Sequence, residues 1–482
     1  MMALALIGVP LAMAALALAL PWKRVRPWAV VAGGSGHLVV VIVALARDEP
    51  VEAFDRWLVL DPLGKVFLTL ISVVFFACAL YTPGYLALRP GRPNRSLCAC
   101  MLLSLALMTV VSLAHHLGLM WVAVEAITLA TALNIYFNQN HRALEATWKY
   151  LLICSVGIAV ALLGSFFLAY AAFYPTLRST LLFEELIGQA RGEPGLKPEW
   201  LQAAFVMLLA GYGTKMGLAP MHTWKPDAYG EAPGVVGAML AGCVTTCAFL
   251  AILRFYKILD AAGQTAFAQE LMVFMGLLSM ATGAVFMVRQ RDFKRMLAYS
   301  SVEHMGILVL GVGIGGSLAM FGVLLHLINN ALTKGVLFLS AGNIHRAFDS
   351  KYVDDVRGAM RLLPVSGSLF LLGFLAIAGS PPFGPFLSEF TILRGALSGK
   401  RYVIAAIYLA LLAMVFVGMG GTVLKVVQGQ PLTETTPRRY RDRLTTAGPI
   451  LLLMALVLLL GVYVPPPLEA MLRNAVEFLE SH

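Results

Sequence analysis

Runs of about twenty apolar residues recur along the whole chain, and that is the length an α-helix needs to cross the hydrocarbon core of a bilayer. About 14 runs of this kind can be read. They begin near Ala3, Trp28, Lys65, Leu97, Leu117, Trp148, Leu201, Gly234, Gln269, Ala298, Ser317, Pro364, Tyr402 and Ala447. A soluble fold would have to cover this apolar surface with charge. Only 13% of the 482 residues are charged, 59% are hydrophobic, and mean hydropathy is +0.80. Soluble proteins carry about 25% charge. The expected fold class is an all-α polytopic membrane protein with about 14 transmembrane helices. The first run reads as a span and not a cleaved signal, because no basic stretch precedes it and no small-residue cleavage site comes before Lys23, Arg24 and Arg26. No targeting segment is expected ahead of it.

The formal net charge of +10 does not point to nucleic acid, because the basic residues sit in short turns between apolar runs and form no basic face or arm. Topology accounts for them. Alternate loops, starting with the one that holds Lys23, carry 22 Lys and Arg, against 10 in the opposite loops and the C-terminal segment. By the positive-inside rule the basic loops face the cytoplasm and both termini lie outside, in the cell inner (cytoplasmic) membrane. Lys225 is counted here as a loop charge. The longest outer loop, Ala172 to Trp200, is expected to be a partly helical cap. Six cysteines (Cys78, Cys98, Cys100, Cys154, Cys243, Cys247) lie in or beside apolar stretches without a CxxC pair, and read as small core residues.

The informative residues are the charges that hydrocarbon should have excluded. Glu125, Lys215, Lys334 and Glu389 each interrupt an apolar run, and each costs about 2.5 to 3.5 kcal/mol near the bilayer centre unless it faces a bundle interior or a wet cavity. Two histidines join them. His304 lies early in the tenth span. His326, Asn330 and Lys334 follow one another at intervals of four in the eleventh and therefore share a helix face. A Glu–Lys bridge locking two helices, or a satisfied core histidine, would account for any one of these residues. Six on one chain ask for a common purpose. His37, His115 and His116 lie near span ends or alone on apolar faces and receive no role.

Helix breakers give the second clue. Gly217 and Pro220 follow Lys215, and Pro381 and Pro382 precede Glu389, so the seventh and twelfth spans should be interrupted. A broken helix frees backbone groups, which a membrane tolerates only where protein or water satisfies them. The breaks are five spans apart, as expected for two inverted five-helix repeats, spans 4–8 and 9–13. This divides the chain into N-terminal helices (1–96), a first repeat (97–260), a second repeat (261–425) and a C-terminal loop with the last helix (426–482).

Three segments carry a resemblance. They are Lys215-Met-Gly-Leu-Ala-Pro-Met-His-Thr-Trp-Lys-Pro-Asp-Ala, Met296-Leu-Ala-Tyr-Ser-Ser-Val-Glu-His-Met-Gly, and the stretch from His326 to Leu339. From about Leu97 to about Leu424 the chain resembles the antiporter-like membrane subunits of respiratory complex I, multisubunit sodium/proton antiporters and group 4 hydrogenases. The wording Ser-Ser-Val-Glu-His-Met-Gly and the lack of a long lateral helix are most similar to the F branch of the hydrogenase-4 subunits. The resemblance implies that Glu125 and Lys215 form the family's fifth- and seventh-helix pair. It makes His304, His326 and Lys334 the connecting axis and Glu389 the terminal acid. Thr246 departs from it, standing where many relatives carry lysine or histidine, and Asn330 replaces a second histidine found in some.

The implied function is proton translocation in a redox-driven complex. Moving a carboxylate toward or away from a lysine changes how firmly the lysine holds its proton. The chain carries no dinucleotide fingerprint, phosphate loop, cysteine cluster or paired haem-type histidines, so no cofactor is expected. Iron–sulfur, nickel–iron or NADH-oxidising subunits would handle electrons, reaching this chain through other membrane subunits. A cation/proton antiporter subunit without redox partners and a structural membrane anchor are the alternatives.

Overall fold

The computed structural model describes residues 1–47, 49–172, 180–193, 195–430 and 440–481. Arg178, Arg438 and Arg439, which entered the charge count, lie outside them. Helices α1 (Met2–Ala19), α2 (Arg26–Leu45), α3 (Pro62–Ala87), α4 (Arg95–Leu113), α5 (Leu117–Ile135) and α6 (His141–Ala171) form the first six spans. A small hairpin, β1 (Glu52–Ala53) and β2 (Leu58–Val59), joins α2 to α3. The short helix α7 (Phe183–Arg191) lies in the long loop between the sixth and seventh spans. The seventh span is α8 (Pro198–Met216) followed by α9 (Trp224–Glu231), and the eighth is α10 (Gly234–Met239), a π turn at Leu240–Val244 and α11 (Thr245–Ala261). Then come α12 (Thr265–Met287), α13 (Phe293–Ile314), α14 (Ser317–Phe348) and the four-residue α15 (Ala359–Leu362). The twelfth span is α16 (Pro364–Ile377) with α17 (Gly384–Ser398), and α18 (Tyr402–Gln428) and α19 (Leu444–Val462) complete the set. Among the described residues twelve helices are long and apolar enough to cross a membrane, and the two interrupted spans bring the total to fourteen. The sequence did not announce α20 (Pro466–Glu480), a final helix with charges along one side.

Local chemistry sets where these helices begin. Asp61 caps α3 by accepting the Gly64 amide, Asn140 caps α6 through Ala143, and Asp292 caps α13 through Lys294 and Arg295. Each cap satisfies amides that a helix start leaves unpaired. Small residues then let helices approach closely. At Gly306 of α13 a side chain would lie 2.7 Å from the Gly276 carbonyl of α12.

Burial sorts the spans into a centre and a rim. The most apolar eighteen-residue windows of Gly234–Ala261, Phe293–Ile314 and Ser317–Phe348 are entirely buried, whereas only 28% of the corresponding windows in α1 and α18 is. His37, given no role, is a satisfied core histidine between Ser72 and Thr109. All six cysteines are buried and unpaired, in keeping with packing.

The two ends of the bundle are closed by ion pairs. At one end Asp61 meets Arg254 at 3.1 Å and His115 at 2.8 Å. Burial alone would raise the Asp61 carboxyl, but Arg254 and His115 outweigh it and hold the group below its ordinary value of 3.8. Here α20 is fastened by Lys257, which donates to the Phe478 carbonyl, and by Arg191, which donates to the Ser481 carbonyl at 2.6 Å. These cations cap the carboxyl end of the helix. At the opposite end Lys351 binds Glu231 at 2.6 Å and Asp292 at 3.0 Å, tying α9 to the start of α13.

Candidate functional site

The interruption of the seventh span places Lys215 at the carboxyl end of a half-helix, where the backbone dipole favours a cation. Gly217 adopts φ +82°, a left-handed conformation that glycine takes without strain, and its amide returns to the Gly213 carbonyl at 2.7 Å. The freed Thr214 carbonyl accepts the Trp224 indole N–H at 2.8 Å, and the Ala219 amide donates to the Ser279 hydroxyl at 3.0 Å. Protein thus satisfies the broken backbone, as the membrane requires. The second break is built similarly. Gly379 has φ +68°, the Ser380 amide returns to the Leu375 carbonyl at 3.0 Å, and the Asn329 amide donates to the Gly384 carbonyl at 2.8 Å. The peptides before Pro220 and Pro382 are cis.

Lys215 is buried and does not touch Glu125 directly. Its Nζ donates to the Thr128 hydroxyl at 2.8 Å and the Tyr150 hydroxyl at 2.6 Å. The Thr128 hydroxyl lies 3.3 Å from Glu125 Oε2, and Ser155 donates to Glu125 Oε1 at 2.6 Å. One hydroxyl group therefore separates the two charges. Glu125 is partly exposed, so it sits at the flank of the bundle and Lys215 sits inside. Tyr150 also lies under the ammonium, 4.5 Å from ring centre to Nζ, in cation–π range.

The second group of residues is fully enclosed. Lys334 donates to the Ser300 hydroxyl at 2.7 Å. His304 Nδ1 and His326 Nε2 are 3.1 Å apart, and His326 Nδ1 is 3.0 Å from the Ser388 hydroxyl. Glu389 follows Ser388, and its carboxylate lies with the two histidines so that one donor atom of each falls within 4.8 Å of the others. Three such donors could hold a metal ion, and the histidine pair can equally hand a proton along. Glu389 is only 5% exposed, so proton exchange with bulk water would need intervening water. Both Glu303 oxygens, Glu389 Oε1 and the Asn330 amide have no hydrogen-bond partner among the described residues. Buried polar groups of this kind are ordinarily satisfied by water.

Two ionisable residues of this site escaped the reading of the sequence. Lys225, counted as a cytoplasmic loop charge, is instead fully buried on α9 and donates to the Ser301 hydroxyl at 3.1 Å. The correction has a physical reason: a broken span has a second half, and Lys225 lies on it. Glu303 is fully buried and 3.2 Å from His304 Nε2. Its signal was visible, a carboxylate inside an apolar run. Of the two departures, Thr246 turns its hydroxyl back to the Cys243 carbonyl at 2.6 Å, within its own helix, and Asn330 stays on the face of His326 and Lys334.

Residues 114–417 match the model of the family described as NADH:quinone oxidoreductase/Mrp antiporter, transmembrane region. The chain belongs to this family. Within it, a hydrogenase-4 component F homolog from Methylacidiphilum infernorum is 35% identical over 432 residues, 87% of each chain. An NADH-quinone oxidoreductase subunit N from Desulforudis audaxviator is 31% identical over 388 residues, 79% of this chain and 75% of the relative. Among solved structures, a chain of an archaeal membrane-bound sulfane sulfur reductase superimposes with a TM-score of 0.88 at 21% identity, covering 99% of this chain and 97% of that one. The resemblance to the F branch of hydrogenase-4 and the family's multi-pass fold are thus both found.

Proposed function

We propose that this family member is a proton-translocating membrane subunit of a redox-driven complex of the group 4 hydrogenase or NADH:quinone oxidoreductase type. The observation that carries the reading is a polar cluster at each of the two broken helices, Glu125 with Lys215 at the first and Lys334, His304, His326 and Glu389 at the second, which we read as two parts of one proton axis. Charges this deep cost too much to keep for packing alone, and an ordered series of them moves protons without moving a large solute. The hydrogenase and quinone oxidoreductase names of the relatives favour redox partners over an autonomous antiporter. The partition into repeats at 97–260 and 261–425 fits one broken helix in each. With Lys225 withdrawn from the count, the loop charges still divide 21 against 10. This supports basic loops in the cytoplasm, both termini outside, and residence in the cell inner membrane.

The test is proton pumping by the purified complex in proteoliposomes. Lys215→Met should reduce proton translocation by about 100-fold or more, the scale of a lost acid–base group, while redox turnover by the partner subunits continues or slows. Undiminished pumping would reduce the chain to an anchor. Pumping that requires sodium and no electron donor would establish the antiporter reading instead.

A further inference from the structure

The two polar clusters are held by different helices. Glu125, Thr128, Tyr150 and Lys215 belong to α5, α6 and α8, whereas Ser300, Glu303, His304, His326, Lys334 and Glu389 belong to α13, α14 and α17. The eighth span, α10 to α11, lies at the centre of the molecule, yet the buried Thr246 hydroxyl of α11 is spent on its own backbone. From the first broken helix, Lys225 bonds across to the Ser300–Ser301 pair. Its ammonium group donates to Ser301, and the neighbouring Ser300 takes the ammonium of Lys334. On its other side Lys225 adjoins Trp224, whose ring packs 5.0 Å from that of Tyr150, the acceptor of Lys215. The methylenes of Lys225 also pass over Gly217, where a Cβ would collide with Cε, so the side chain lies back across the break that Lys215 ends.

We infer that Lys225 is the central relay of the axis, receiving a proton from the Lys215 side and passing it through the Ser300–Ser301 hydroxyls toward Lys334. In this step one N–H bond at the donor ammonium breaks and one forms at the acceptor amine; no electrons are exchanged. Among the described residues no carboxylate pairs with Lys225, so nothing there pins its charge. The inference rests on the translocation reading above, and it explains how this chain can do without a basic group at Thr246.

The experiment compares Lys225→Gln, Lys225→Arg and the double variant Lys225→Gln/Thr246→Lys in the assembled complex. Redox turnover, native-gel assembly and proton pumping are read on each. A relay predicts that Lys225→Gln assembles but pumps at less than about a tenth of the parent rate. Lys225→Arg should also fail, because a guanidinium does not give up its proton, and Thr246→Lys should restore pumping by supplying a basic group from α11. A purely structural Lys225 predicts the reverse: rescue by Arg, which keeps the charge and the hydrogen bond, and no rescue by Thr246→Lys. If Lys225→Gln fails to assemble, the Arg variant decides alone, since an assembled, pumping Arg protein overturns the relay. Should Lys215→Met pump normally in the same series, the translocation reading itself falls, whereas loss at Lys215 with full pumping by Lys225→Gln overturns only the present inference.

Discussion

The two broken helices solve the same backbone problem and put opposite chemistry on the solution. In each, a left-handed glycine ends the first half, and the second half carries an ionisable side chain folded back against that glycine: Lys225 on Gly217, and Glu389 on Gly379, where a Cβ would run into the carboxylate. The first break is cationic on both sides, with Lys215 before it and Lys225 after it. The second has no charge before it and an acid beside two histidines after it. A break is therefore a way to hold a titratable group against backbone in mid-membrane, and the sign of the group is a free choice. What fixes the sign is the neighbouring side chain: hydroxyls of α5, α6 and α13 accept from the two ammonium groups at the first break, whereas the imidazoles of His304 and His326 face the carboxyl at the second.

The sharpest way to break this comparison is Glu389→Gln, which keeps size and hydrogen bonding but removes proton exchange. It should lower proton translocation by about 100-fold with assembly intact, measured in proteoliposomes of the complex. If glutamine pumps normally, the second break is only a structural cap and the parallel with the first is lost. Next in size are Gly217→Ala and Gly379→Ala. Each adds a methyl where no space exists and places a side chain in the left-handed region, costing about 1 to 2 kcal/mol from the backbone alone. Both should displace the ionisable group and cut pumping more than they lower thermal stability, and equal loss in the two would establish that the glycines serve the same purpose.

Much of this was legible in the sequence, and for identifiable reasons. Span count, break positions and the six charged or histidine residues follow from a hydrocarbon core that tolerates few exceptions, so each exception stands out. Glu303 was as visible as Glu389 but stood in a motif dominated by its histidine neighbour. Lys225 was hidden because a helix of eight residues, Trp224–Glu231, is too short and polar to register as a span. Thr128, Ser155 and Tyr150 give no signal at all: hydroxyl residues are common in membrane helices, and their meeting with Lys215 and Glu125 depends on how three helices cross. The same holds for α20, whose fastening by Lys257 and Arg191 is tertiary.

Smaller effects sharpen the comparison further. Trp224→Phe removes one of the two donors to the Thr214 carbonyl, which still accepts the Gly217 amide at 3.1 Å, and a lost hydrogen bond of this kind costs about 0.5 to 1.5 kcal/mol. The variant should melt at a lower temperature in detergent while still pumping, whereas the second break, which uses Asn329 for a similar task, should be unaffected in the protection of its amides from exchange. The smallest effect on pumping belongs to the ion-paired end. Because the Asp61 carboxyl is held below 3.8, its contribution to stability is fully present above that value and is lost as pH falls through the lowered folded value. Asp61→Asn should be less stable at neutral pH and show a flatter loss on acidification, as read from thermal unfolding across pH.

The three enclosed spans have a consequence for how such a subunit can be reused. Their most apolar windows present nothing to the lipid, and they hold much of the axis, while α1 and α18 at the rim hold none of it. The axis behaves as a sheathed conductor whose insulation is protein. The outward side of a rim helix can be recoded to fit a different neighbour, or a thicker bilayer, while its inward side stays fixed. One interior can thus serve many assemblies, the differences between them being written on the outside.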